Sequence, residues 1–278
     1  MTVPSVPDPF NMAGLSNAPI LLRTEHIRKS FGAVTALKDV SIQLHKGEVL
    51  ALVGDNGAGK STFIKILCGF HPPDGGTIEW EGKPIHLKSP LDALHHGIET
   101  VYQDLALVND LTVYQNMFLG REKIIRLGGI VPLTDNRAMR RQTREHLNRL
   151  GINLPSVSSL VRQLSGGQRQ SIAVARSMQT SPKLLIMDEP LAALGVREGG
   201  LVLDLIQKLR RQRETSIILI VHNYNQIFEV CDRINFLHSG EIVLDRSTAD
   251  TSEEELIRIV KSGLGRSALA EAVASTTI

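Results

Sequence analysis

At 278 residues the chain is long enough for one sizeable α/β core carrying a subdomain. Hydrophobic residues make up 42% and charged residues 22%, and the net charge of +2 is too small to imply a nucleic-acid partner. Two cysteines, Cys68 and Cys231, exclude a disulfide framework and a four-cysteine metal site, and fit a reducing compartment.

No apolar run reaches the length that spans a bilayer. The first residues lack the basic-then-apolar order of a signal peptide. Residues 1–19, with Pro4, Pro7, Pro9 and Pro19, read as a flexible leader, and residues 263–278 as a small, polar tail. A folded domain is expected over 20–262.

Leu21–Phe31 and Val40–Leu44 have the spacing of two antiparallel strands. Val49–Val53 is almost wholly apolar, as in a buried central strand, and a helix is expected over Ser61–Cys68. Ile78–Glu81, Gly82 and Ile85 predict a small hairpin, and Thr100–Tyr102 a strand. The segment from about 104 to 180 contains, over 104–165, helical stretches broken at Gly128–Gly129 and Pro155. Its most charged part, Arg121 to Leu150, has eight Lys/Arg against three Asp/Glu, and the stretch is read as an inserted helical subdomain. Further on, Ser171–Gln179 is a helix and Leu184–Met187 a second buried strand. Arg197–Arg211 is a helix with Leu201, Leu205 and Leu209 on one face, and Ile217–Val221 is a third buried strand. Ile234–Leu237 and Glu241–Leu244 flank a Ser239–Gly240 turn. Thr251 with Glu254 forms a capping box for a last helix over Ser252–Val260. Strands alternating with helices argue for an α/β sheet.

Gly54-Asp55-Asn56-Gly57-Ala58-Gly59-Lys60-Ser61 matches the phosphate-loop pattern without deviation, between a buried strand and a helix. The glycines let the backbone wrap a phosphate, and the loop N–H groups and helix start favour anions. Lys60 is placed to reach the β and γ phosphates, the Ser61 hydroxyl to ligate Mg²⁺, and Thr62 to serve the α-phosphate side. The strand Leu184–Met187 runs straight into Asp188-Glu189-Pro190. Its fixed end suits Asp188 to hold Mg²⁺ through the metal's water shell, and Glu189 to polarise an attacking water. Taken alone, that pair is equally an acidic turn.

Leu164-Ser165-Gly166-Gly167-Gln168-Arg169-Gln170 precedes a helix and offers a second anion cradle. One nucleotide needs one phosphate loop, so a second cradle makes sense if it closes on a partner's ATP. The motif resembles the signature of the ABC transporter ATPases, and the likeness runs from about Leu21 to Arg246 with the motifs in the family's order. The resemblance implies a P-loop NTPase fold of the ABC type: a mixed sheet core, an N-terminal antiparallel sheet and an inserted helical subdomain. It implies ATP and Mg²⁺, and hydrolysis at the interface of a homodimer. It makes Gln103 the glutamine that meets the metal or the water and reports to a membrane partner. It makes His222 a switch histidine orienting Glu189 and Phe31 an adenine-stacking ring. Without the other motifs, Gln103, His222 and Phe31 read as ordinary structural or surface residues.

The wording Ala192-Ala193-Leu194-Gly195 resembles the carbohydrate-import branch. That implies a transmembrane permease, a periplasmic sugar-binding protein, and a place on the cytoplasmic face of the inner membrane. Two positions depart from the wider family: Leu191 stands where Ser or Thr is usual, and Gly195 where Asp is usual. An ATPase for another cargo, or one serving DNA repair or translation, remains open on sequence alone.

Overall fold

The computed structural model describes residues 18–127, 130–221 and 224–262. Two long strands, β1 (Ile20–Phe31) and β2 (Val34–His45), pair antiparallel. Ala18 and Pro19, expected in the leader, are fastened to this sheet: the Pro19 carbonyl accepts Lys46 N–H at 3.0 Å and the Ala18 carbonyl lies 2.8 Å from His45 Nδ1. Then come β3 (Val49–Gly54), α1 (Lys60–Leu67) and the hairpin β4 (Gly75–Trp80) with β5 (Lys83–Pro84). The short helix α2 (Pro90–His95) was not expected. Ser89 caps it and accepts from Asp92 N–H at 3.2 Å, with Pro90 at the first helical position. Strand β6 (Ile98–Val101) begins and ends slightly before the predicted span.

The inserted segment holds α3 (Val113–Met117), a hairpin of β7 (Ile124–Leu127) and β8 (Val131–Thr134), and α4 (Asn136–Leu150). The inserted helical subdomain is present as expected, and the hairpin is an addition to it. Its cause was in view, since two β-branched runs flank Gly128–Gly129. Next are α5 (Gly166–Met178), β9 (Leu184–Asp188), α6 (Val196–Gln212), β10 (Ser216–Ile220) and α7 (Tyr224–Val230). Strands β11 (Arg233–His238) and β12 (Glu241–Ser247) follow, then α8 (Glu253–Ser262). The β11–β12 turn has φ 48° at Ser239 and 81° at Gly240, the positive pair that a tight two-residue hairpin needs. The cap of α8 sits one residue later than predicted: Ser252 Oγ accepts Glu255 N–H at 3.2 Å, and Thr251 Oγ1 donates to the Glu255 carboxylate at 2.8 Å.

The large sheet runs β5-β4-β1-β2-β12-β11-β3-β10-β9-β6. Strands β11, β3, β10, β9 and β6 are parallel to their neighbours in that stretch. Alternate residues of these strands feed two different cores. Val49, Ala51, Val53, Leu185, Met187, Ile217 and Leu219 pack with the subdomain helices and α6. Leu50, Leu52, Leu184, Ile186, Ile218 and Ile220 pack with α1 and the antiparallel strands. The period of two therefore buries both faces, which is why these strands read as unbroken apolar runs.

The far end of the sheet is pinned by charge. Asp232, fully buried, accepts from Arg210 Nε at 2.9 Å, from Arg213 at 2.6 Å and from Val49 N–H at 2.9 Å. This ties α6 and β11 to the start of β3, so the opposite end of β3 is held in place.

Candidate nucleotide-hydrolysis site

The phosphate loop leaves the carboxyl end of β3. Gly54 has φ 152°, and a Cβ there would stand 2.1 Å from the Leu237 carbonyl, so only glycine fits against β11. At Gly57 a Cβ would meet nothing within 4 Å, which leaves bare main chain facing outward. Ala58 N–H donates to the Asp55 carbonyl at 3.1 Å, and Gly240 N–H to the Ala58 carbonyl at 3.0 Å, so the loop is braced by its own turn and by the β11–β12 hairpin. Helix α1 then starts with no acidic residue in its first turn, which keeps its N-terminus free for an anion.

Lys60 is buried, and its Nζ donates to the Gly54 carbonyl at 2.6 Å and the Asp55 carbonyl at 2.9 Å. Burial pulls its pKa below the usual lysine value, against the opposing pull of Glu189, Asp55 and Asp188. These charges therefore lie within electrostatic reach of one another. Asp188 ends β9 and Glu189 follows it, with β10 between β9 and β3. Glu189 sits at φ 50°, a costly conformation for a residue with a Cβ, and its N–H is held by the Ile220 carbonyl at 3.1 Å. Gln103 is exposed two residues beyond β6, the strand beside β9. The loop, the carboxylate pair and Gln103 thus lie at the carboxyl ends of parallel strands, where α/β sheets bind ligands. His222, two residues past the end of β10, lies outside the described residues.

Ser61 is exposed and Thr62 half-buried on the first turn of α1. The metal-capable groups are the Ser61 hydroxyl, the Asp188 carboxylate and the Gln103 amide, all hard oxygen donors. Mg²⁺ is held in such sites by one or two protein oxygens together with substrate phosphates and water. The set fits that mode, and among the described residues no cluster of His, Cys, Asp and Glu forms a complete protein cage for a metal.

Ser165–Gln168 opens α5, and Gly166 lines a pocket together with Gln103, Asp104, Leu194 and Glu198. Ser165 caps α5, accepting from Gln168 N–H at 3.3 Å while the Gln168 side chain accepts Ser165 N–H at 3.1 Å. The capping box starts the helix five residues before the predicted Ser171. Gly166 and Gly167 lie against Leu194 and Glu198, not against Lys60. Phe31 closes β1 at 45% exposure, with its ring edge-on to His71 at 5.3 Å and Lys29 Nζ 5.6 Å from its centre.

Three features escaped the sequence reading. His238 Nδ1 lies 3.3 Å from Asp55 of the loop. Cys68 and Thr100 meet at 3.0 Å beneath the site, and burial raises the pKa of the Cys68 thiol and of the neighbouring Tyr102 phenol. Arg176, on the helix that Ser165 caps, donates to the Leu105 and Ala106 carbonyls at 2.9 and 2.8 Å and so holds the segment just past Gln103. Each pairing spans 32 or more residues, and no local motif signals it.

The family described as ABC transporter matches residues 37–192, from β2 through the carboxylate pair. This chain belongs to the ABC transporter family. The cassette is 44% identical over 252 residues to the xylose/arabinose import ATP-binding protein XylG of Sulfolobus acidocaldarius, covering 90% of this chain and 98% of that protein. It is 48% identical over 225 residues to the fructose import ATP-binding protein FrcA of Rhizobium meliloti, covering 79% and 85%. Its fold matches the ADP conformation of MJ1267, an ATP-binding cassette of an ABC transporter, with a TM-score of 0.73 at 27% identity over 87% of this chain and 95% of that one. The family hydrolyses ATP with Mg²⁺, and the cassette is an ATP hydrolase of this type.

Proposed function

We propose that the cassette energises sugar import as a homodimer docked on a transmembrane permease, with a periplasmic sugar-binding protein delivering the cargo. The sugar reading rests on the relatives named for xylose/arabinose and fructose import. The permease and binding protein follow from the same kinship, as does a place on the cytoplasmic face of the inner membrane. No helix among the described residues is long and apolar enough to cross a membrane.

The observation that carries the dimer is that one chain holds two anion cradles: the loop with Lys60, within electrostatic reach of Glu189, Asp55 and Asp188, and the start of α5, where Gly166 and Gly167 lie against Leu194 and Glu198. One chain brings Gly54, Asp55, Asn56, Gly57, Ala58, Gly59, Lys60, Ser61 and Thr62 to the phosphates. Its twin brings Ser165, Gly166, Gly167 and Gln168 to the γ-phosphate. Phe31 stacks on the adenine. Lys60 exchanges its two carbonyl partners for phosphate oxygens, a charge-assisted contact stronger than the ones it leaves. Ser61, Asp188 and Gln103 would hold Mg²⁺, which would neutralise phosphate charge. Glu189 takes the proton of the attacking water, and His222 orients Glu189. The bond from Glu189 N–H to β10 holds the backbone from which that carboxylate projects.

Glu189→Gln tests the reading. The variant is expected to bind ATP, nearly stop hydrolysing it, and double in mass by light scattering when Mg-ATP is added. A variant that saturates with ATP and stays monomeric would overturn the shared site. Uptake of labelled pentose or fructose into vesicles carrying the cassette and its permease tests the cargo.

A further inference from the structure

The β7–β8 hairpin carries the densest run of exposed aliphatic side chains on the described surface. Ile130 is 84% exposed, and Ile124, Ile125, Val131 and Leu133 lie between 44% and 55%. The pairing register is Ile125 with Leu133 and Ile124 with Thr134. Ile125, Leu133 and Val131 therefore share one face, and Ile124, Arg126 and Pro132 the other. A two-stranded sheet has no second layer to cover an apolar face.

The surroundings are basic. Residues 121–141 contain six Lys/Arg against two Asp/Glu. Both acids are engaged within the segment: Glu122 accepts Gly120 N–H at 3.1 Å, and Asp135 caps α4 by accepting Ala138 N–H at 2.9 Å. Asp135 N–H also donates to the Lys123 carbonyl at 2.7 Å, which locks the base of the hairpin to the start of α4. Lys123 thus stands at the foot of the ribbon beside the first turn of α4, which carries Arg137, while Arg126 projects from the ribbon's other face and Arg140 lies over the Tyr114 ring at 4.9 Å.

We propose that this hairpin and the start of α4 form a contact with an anionic lipid surface, the apolar face entering the headgroup boundary and the cations pairing with lipid phosphates. Aliphatic burial combined with several cations is the chemistry of interfacial membrane binding. Two features disfavour a protein occupant. The segment from Leu119 to Thr134 has no aromatic residue, whereas protein hot spots are enriched in Trp and Tyr. Pro132 deprives β8 of an N–H, so the strand is poorly suited to extend onto another chain. The inference rests on the cassette working beside a bilayer and holds whatever the cargo.

The experiment is co-sedimentation of the purified full chain with vesicles of phosphatidylglycerol mixed with phosphatidylethanolamine, and with neutral phosphatidylcholine vesicles. The two variants are Ile125→Ser with Leu133→Ser, and Lys123→Gln with Arg126→Gln. Fluorescent Mg-nucleotide binding and melting temperature serve as controls. Binding to the anionic vesicles alone is expected, weakened roughly tenfold or more by either pair and by high salt, with both controls unchanged. Equal binding to neutral vesicles, or variants that bind like the parent, would overturn the proposal. So would a hairpin-dependent change of oligomeric mass, which identifies a second copy as the occupant. Variants that keep vesicle binding but fail to assemble with the permease would assign the surface to protein. Failure of the nucleotide-site reading would appear separately, as loss of Mg-nucleotide binding in the parent chain.

Discussion

Gly166 and Gly167 stand side by side in the Ser165 cradle, and alanine separates their roles. At Gly167 a Cβ would lie 2.6 Å from the Glu198 carbonyl oxygen and 3.0 Å from its Cα, so α5 meets α6 main chain to side-chain-free main chain. Alanine gains about 0.8–1 kcal/mol of helix propensity there. Overpacking against a backbone that cannot rotate away costs about 1–3 kcal/mol. A 2.6 Å clash with backbone belongs at about 2–3 kcal/mol of that range, so Gly167→Ala should destabilise the chain by roughly 1–2 kcal/mol, which lowers the melting temperature by about 2–8 °C at this size. At Gly166 the nearest atom is Leu194 Cδ2 at 2.8 Å, the end of a side chain that can turn aside. Gly166→Ala should therefore stay within about 1 kcal/mol of the parent. Calorimetric melting without nucleotide measures the difference, and ATPase rates at the same temperature measure function. If Gly167→Ala melted with the parent while hydrolysis disappeared, the helix contact would be irrelevant and the glycine would act on the nucleotide alone.

Lys60→Ala should weaken ATP binding roughly ten- to a hundredfold in titration calorimetry, the loss of a charge-assisted bond to phosphate. Unchanged affinity would remove the loop from the site. Glu81 bridges Lys183 at 2.7 Å and Lys46 at 2.8 Å, and these partners hold its carboxyl near a pKa of about 2, from 4.5. A depressed folded-state pKa adds stability above the unfolded value and loses it as pH falls from 4.5 towards 2. The pair is part-exposed, so Glu81→Gln should cost below about 1 kcal/mol at neutral pH, with the gap closing across that window in acid melts. Gly195 caps α6 with φ −68°, ψ 166° and no side-chain bond, and a Cβ there touches nothing within 4 Å. Gly195→Asp should add a few tenths of a kcal/mol as a cap, raising the melting temperature by about 1 °C; a fall would mean that a carboxylate is unwelcome at that turn.

The parts of the site legible in advance are those fixed by their neighbours in sequence. Gly54 to Ser61 follows a strand buried at every position, and Asp188–Glu189 follows another, so core packing places each motif. The start of α5 was equally local, since Ser165 and Gln168 form a capping box, yet the apolar pattern drew the helix boundary to Ser171. The β7–β8 hairpin was missed because basic residues at helical spacing dominate the surrounding stretch, although its β-branched runs contradict a helix. His238 against Asp55, and Arg176 against the carbonyls of Leu105 and Ala106, come from distant strands and helices meeting. Their pairing is set by sheet order and helix placement, which local patterns do not encode.

Charge accounts for why a single cassette would hold its nucleotide incompletely. Around Lys60 stand Asp55, Asp188 and Glu189, one cation facing three carboxylates. A triphosphate adds several further negative charges. The start of α1 offers the equivalent of about half a positive charge, and Mg²⁺ offsets only part of the remainder. The N-terminus of α5, with no acidic residue in its first turn and Arg169 beside it, has the opposite need: its dipole favours an anion, and the carboxylate lying against Gly166 is that of Glu198 on α6. On the proposed reading these deficits cancel only when two chains close on the same triphosphate. Departure of the γ-phosphate removes the charge that joins them, and the carboxylates left behind then favour opening.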